Sequence, residues 1–158
     1  MPTALSKTVA GFLAGALATA IFHQGMYYLM QRGGLPLQGA PWTMTPNARA
    51  YGLPVLVNQM FWGGLWGVLF ALLYERLPTN MGWLKGIVFG VIFPLLLGSW
   101  LIVASMRGQP LLADVAKDWN ILRLRNGFLL NGIAVGLGLG ILYPLLAGVF
   151  GARAASRA

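Results

Sequence analysis

Residues 83–106 read WLKGIVFGVIFPLLLGSWLIVASM, and the one charge in that stretch, Lys85, stands at its very start. About 20 helical residues at 1.5 Å rise cross roughly 30 Å of hydrocarbon, so this run is long enough to span a bilayer. Three more runs of the same kind occur at Thr8–Gln31, Pro54–Tyr74 and Gly127–Phe150, none of them holding Asp, Glu, Lys or Arg. The four runs and the loops that connect them use up nearly the whole chain. They predict an all-α fold, a polytopic membrane four-helix bundle, forming a single integral-membrane domain over residues 1–158.

The composition agrees. Of 158 residues, 58% are hydrophobic and only 9% charged, too little charge to cover a soluble domain of this size. There is no cysteine, which excludes disulfides, thiolate metal sites and thiol nucleophiles. The net charge of +8 does not point to nucleic acid, because Lys7, Arg32, Arg76, Lys85, Arg107, Arg125 and Arg153 sit at span ends. There they meet lipid headgroups and act as topology anchors. The expected surroundings are therefore the lipid bilayer, and no nucleic acid.

The first run continues past Val9–Phe22 through His23 and Met26 to Arg32, longer than a cleavable apolar region of about 7–15 residues. It reads as a retained first helix. The face holding both termini, face B, carries Lys7, Arg76, Lys85, Arg153 and Arg157; the opposite face, A, carries Arg32, Arg49, Arg107, Lys117, Arg123 and Arg125. These numbers are nearly balanced. Face B has no long segment to translocate, so both termini are expected in the cytoplasm.

The connections differ. Arg32–Leu53 holds Pro36, Pro41 and Pro46 with Trp42 and Tyr51, and is expected to be an ordered loop lying on the bilayer. Glu75–Gly82 is tight, with turn chemistry in Pro78-Thr79-Asn80, and makes helices 2 and 3 antiparallel neighbours. In Arg107–Arg125, Pro110 can begin a helix on which Leu111, Val115, Trp119 and Leu122 share one face. This predicts a short amphipathic interfacial helix before the fourth span, with Asp114 and Lys117 off its apolar face. Pro94 and Pro144 fall inside spans and should bend them.

An internal repeat runs through the spans. A shift of 75 residues carries Gly11, Gly15 and Arg32-Gly33 onto Gly86, Gly90 and Arg107-Gly108. A shift of 73 carries Asn58, Gly63 and Gly67 onto Asn131, Gly136 and Gly140, while Gln59 falls on Gly132. A duplicated two-helix hairpin would produce this, with a pseudo-twofold axis along the membrane normal. Lipid tails are as apolar as leucine, so helices gain by close backbone approach at small residues. Gly11, Gly15, Gly63, Gly67, Gly86, Gly90, Gly132, Gly136 and Gly140 are accordingly the expected packing positions.

Polar residues inside the spans gather in one half. His23 lies about 14 Å from the face-A boundary, Ser99 about 12 Å, Asn131 about 9 Å and Asn58 about 6 Å, with Gln24 and Gln59 beside them. Two readings follow. These six line a polar pocket open to face A, or they are hydrogen bonds between helices, worth roughly 0.6–2 kcal/mol each. A haem would need a second axial ligand beyond His23, such as Met26, Met60 or Met106. No cofactor and no metal is assigned. The only acids are Glu75, Asp114 and Asp118, at or outside the interface, so no residues are assigned to catalysis.

The segment Phe22-His23-Gln24-Gly25-Met26, taken with Phe61-Trp62-Gly63-Gly64-Leu65-Trp66-Gly67, resembles small bacterial inner-membrane proteins with four spans and no assigned activity. The resemblance implies a bacterial membrane location and transfers no catalytic residue. The leading expectation is a non-enzymatic accessory or scaffold subunit, packed against another membrane protein or in a homo-oligomer. A binding or permeation protein using the face-A polar groups, and a haem or quinone site at His23, are the alternatives.

Overall fold

The computed structural model describes residues 3–35, 37, 39–102, 105 and 125–155. Among these residues four helices are long and apolar enough to cross a membrane: α1 (Ala4–Arg32), α2 (Val55–Arg76), α3 (Gly82–Ser99) and α4 (Arg125–Gly151). The expected interfacial helix, Pro110 to Leu122, lies outside the described residues, as do Met106 and Arg107. Among the described residues the only β pairing is an isolated bridge between Pro46 and Pro54.

The spans start and stop close to where apolar character does, with one clear extension. Thr3 caps α1 through its hydroxyl, which accepts the Ser6 N–H at 3.2 Å. Its carbonyl in turn accepts the Ser6 hydroxyl at 2.8 Å. Helix therefore begins before the apolar run, and α1 reaches 29 residues. At 1.5 Å per residue that is about 44 Å, longer than the hydrocarbon is thick, so α1 tilts or projects beyond it.

Three spans are locally widened, with hydrogen bonds reaching five residues back instead of four. The widened stretches are Ala18–His23 in α1, Val91–Ile102 in the second half of α3 and just past its end, and Phe128–Val135 in α4. Pro94, which has no N–H to give, lies in the second. By contrast, α2 is regular from Val55 to Leu73, and Pro144 sits within the regular part of α4. Such widened turns strain the helical ladder and recur at functional sites.

The helices associate as two tight pairs. Between α1 and α2, a β-carbon built on Gly11 would lie 2.5 Å from the Gly67 carbonyl oxygen, and one on Gly15 would run into the Gly63 carbonyl. Between α3 and α4, Gly86 meets Gly136 and Gly140, and a β-carbon on Gly90 would come within 2.5 Å of the Gly132 oxygen and 2.9 Å of Gly136 Cα. The repeat is visible in these contacts: Gly11 with Gly67 corresponds to Gly86 with Gly140, and Gly15 with Gly63 to Gly90 with Gly136.

The two seams between the pairs are built differently. Along α1/α4, Ala10, Ala14 and Ala18 are fully buried beside Val135 and Leu139. A β-carbon on Gly138 would stand 2.7 Å from Ala18 Cβ. Along α2/α3 the corresponding α3 positions are Lys85, Phe89 and Phe93. There Phe70 and Phe89 meet edge to face at 5.1 Å, and the Trp66 ring covers Gly98. Consecutive helices α2 and α3 are thus joined through aromatic rings, whereas α1 and α4 approach closely through small side chains. Among the described residues Phe70, Phe89 and Leu139 are the largest wholly buried side chains, and they belong to the core of the bundle.

Candidate functional site

Five of the six polar residues singled out in the spans fall into two groups. Gln24, only 4% exposed, is the hub of the first. Its Nε2 donates to Gln59 Oε1 at 2.8 Å, tying α1 to α2. The same amide nitrogen lies 3.2 Å from His23 Nδ1. As the amide donates, His23 Nδ1 accepts, which leaves the ring proton on Nε2. Gln24 Oε1 accepts the backbone N–H of Trp42 at 2.9 Å. In the second group, Asn131 Nδ2 on α4 donates to Ser99 Oγ on α3 at 3.3 Å, and Ser99 Oγ donates back to the Pro94 carbonyl at 3.0 Å. Asn58 is half-buried and belongs to neither group.

The groups occupy related places in the repeat. Ser99 is the counterpart of Gln24, and Asn131 is the counterpart of Asn58, one position before Gln59. Each hairpin therefore has one polar tie across its glycine-packed helices, in the same half of the structure. His23, Ser99 and Asn131 all lie in widened stretches. Among the described residues, every buried side-chain nitrogen or oxygen has a hydrogen-bond partner. Chemically, these are neutral donors and acceptors; among the described residues no three metal-ligating side chains come together.

The first loop departs from the expected surface position. Trp42 folds back along α1, where its indole Nε1–H donates to the Ala20 carbonyl at 2.7 Å. Ala20 lies about 18 Å along α1 from Arg32. Beyond Trp42 the chain caps α2: the Thr45 carbonyl accepts from Val55 N–H and the Thr43 carbonyl from Leu56 N–H, each at 3.1 Å. Pro54, at the N-cap, has no side chain able to do this. The loop is satisfied by the helices it touches, the condition for non-helical backbone to sit against a membrane bundle.

A further site escaped the sequence reading. Lys85, expected at a span end as a lipid anchor, is turned inward and only 7% exposed. Its Nζ donates to the Tyr74 carbonyl at 2.8 Å and stands 4.4 Å from the centre of the Tyr74 ring. That carbonyl is among the last of α2, where the helix dipole favours a cation. Tyr143 of α4 completes the group, 5.0 Å from Tyr74 and 5.7 Å from Phe70. The legible signal was the repeat itself, which places Lys85 opposite Ala10 on the buried face of α1.

Comparison of the chain with known protein families, with curated proteins and with solved structures returns no match. The functional reading therefore rests on the residues and their geometry.

Proposed function

We propose that this chain is a non-enzymatic accessory or scaffold subunit of the bacterial inner membrane, with both termini cytoplasmic, that packs against a larger membrane protein. The observation that carries the reading is the outer face of α2. Only 28% of this span is buried in the bundle, against 39% for each of the others. Its outward side presents Phe61 and Trp62, 50% and 46% exposed, with Val57, Leu65 and Leu72 along the same flank. Large rigid rings supply contact area at low entropic cost, and aromatic residues are enriched where proteins meet.

Two further features support it. The GxxxG glycines are used up within the bundle, where they act as helix-packing positions between α1 and α2 and between α3 and α4. A partner would meet rings and aliphatic side chains instead. The polar ties between helices hold the bundle together and need no ligand. Purification from native membranes in mild detergent, followed by mass spectrometry, tests the proposal. A larger membrane protein at fixed stoichiometry is expected; a lone monomer or homo-oligomer would refute it.

A further inference from the structure

Trp42 makes a contact that an interfacial tryptophan does not require. Its ring donates its one N–H to Ala20 O, a carbonyl in the interior of a helix. That carbonyl is available because α1 is widened there: the Gln24 N–H bonds the Thr19 and Ile21 carbonyls and passes over Ala20. The Trp42 backbone is held at φ 51°, in the left-handed region, which a bulky L residue adopts only when its surroundings impose it. Tyr28 lies 6.0 Å from the indole, Gln24 bonds the adjoining peptide, and the indole residue remains 43% exposed. A planar ring with a single donor is thus seated on a prepared acceptor by a strained segment.

We propose that the face of α1 under Trp42 is a binding site for a planar aromatic molecule carrying one hydroxyl or N–H donor, and that Trp42 fills it as the chain's own stand-in. The Ala20 carbonyl accepts the donor, the Tyr28 ring flanks the plane, and Gln24 Oε1, released by the Trp42 N–H, accepts from water. Opening breaks two hydrogen bonds and relieves the φ of Trp42. The capping carbonyls of Thr43 and Thr45 hold the rest of the loop on α2, so the movement is confined to the residues around Trp42. This goes beyond the scaffold role and does not depend on it.

The test uses the full chain in lipid nanodiscs, labelled with 5-fluorotryptophan. Its six tryptophans give separate fluorine signals, and Trp42→Phe identifies the signal of residue 42. The probes are 1-naphthol, which has the ring and the donor, and 1-methoxynaphthalene, which has the ring alone. We expect 1-naphthol to shift the Trp42 signal saturably, and the methoxy compound to act at least about tenfold more weakly. In Trp42→Phe, which lacks the competing N–H, direct binding of 1-naphthol should tighten about fivefold. Equal effects of both probes, which report partitioning into lipid, or a Trp42 signal that does not move, would overturn the proposal. The wild-type titration decides the matter even if the variant fails to fold.

Discussion

The Gly67 carbonyl oxygen lies 2.5 Å from the point where a β-carbon on Gly11 would stand. Neither helix can yield there, because the obstacle is backbone. The same holds one turn away and again in the second hairpin, at Gly86 with Gly136 and Gly140. Substituting Gly15→Ala or Gly86→Ala should therefore cost about 1–3 kcal/mol through overpacking. Gly148→Ala, whose added carbon would meet nothing within 4 Å, should be neutral or stabilising by up to about 1 kcal/mol through helix propensity. Unfolding in mixed micelles against increasing SDS measures both. Equal responses at Gly15 and Gly148 would mean that the tight pairs are not what holds the bundle.

Lys85 separates two kinds of substitution. Lys85→Met keeps the volume and loses a charge-assisted hydrogen bond and a contact with the Tyr74 ring, a cost of about 1–3 kcal/mol. Lys85→Glu sets a carboxylate against the Tyr74 carbonyl in a buried place and should cost several kcal/mol or prevent folding. The same micelle titration reports both values. A lysine that merely anchored to lipid headgroups would tolerate either change with little loss.

The proposed partner surface can be removed without touching the glycine seams. Trp62→Ala combined with Leu65→Ala should leave the bundle folded, since both side chains are nearly half exposed, yet reduce co-purification of the partner at least about tenfold, as loss of central aromatic contacts does at interfaces. Leu145→Ala, on an exposed part of α4, is the control. Retention of the partner by the α2 variant would place the contact elsewhere.

Much of this arrangement is legible in the order of residues, and the rest is not, for physical reasons. Span length is a local property, so four apolar runs announce four helices. The glycine register is legible because shifts of 75 and 73 residues preserve it, and the depth of Gln24 and Gln59 places them in the same half of the membrane before any contact is known. Their hydrogen bond, and the separate Ser99–Asn131 pair, depend on rotation of each helix about its axis. A single run that is apolar all round does not encode that rotation. Lys85 reads as an anchor because a lysine near a span end ordinarily reaches toward headgroups; here the carbonyl and ring of Tyr74, at the end of α2, draw it inward. Trp42 reads as an interfacial ring because loop composition says nothing of a bond to a residue 22 positions earlier, nor of the widened turn that holds its acceptor, Ala20.

The four-crossing bundle on which all this depends is best tested by side-specific labelling, for which the absence of cysteine leaves a clean background. Single cysteines at Thr3, Tyr51, Asn80, Ser105 and Gly151 would be treated with a membrane-impermeant maleimide in sealed, oriented vesicles. Thr3, Asn80 and Gly151 should label from one side, and Tyr51 and Ser105 from the other. Labelling of Asn80 from the same side as Tyr51, or of Gly151 from the same side as Ser105, would contradict it.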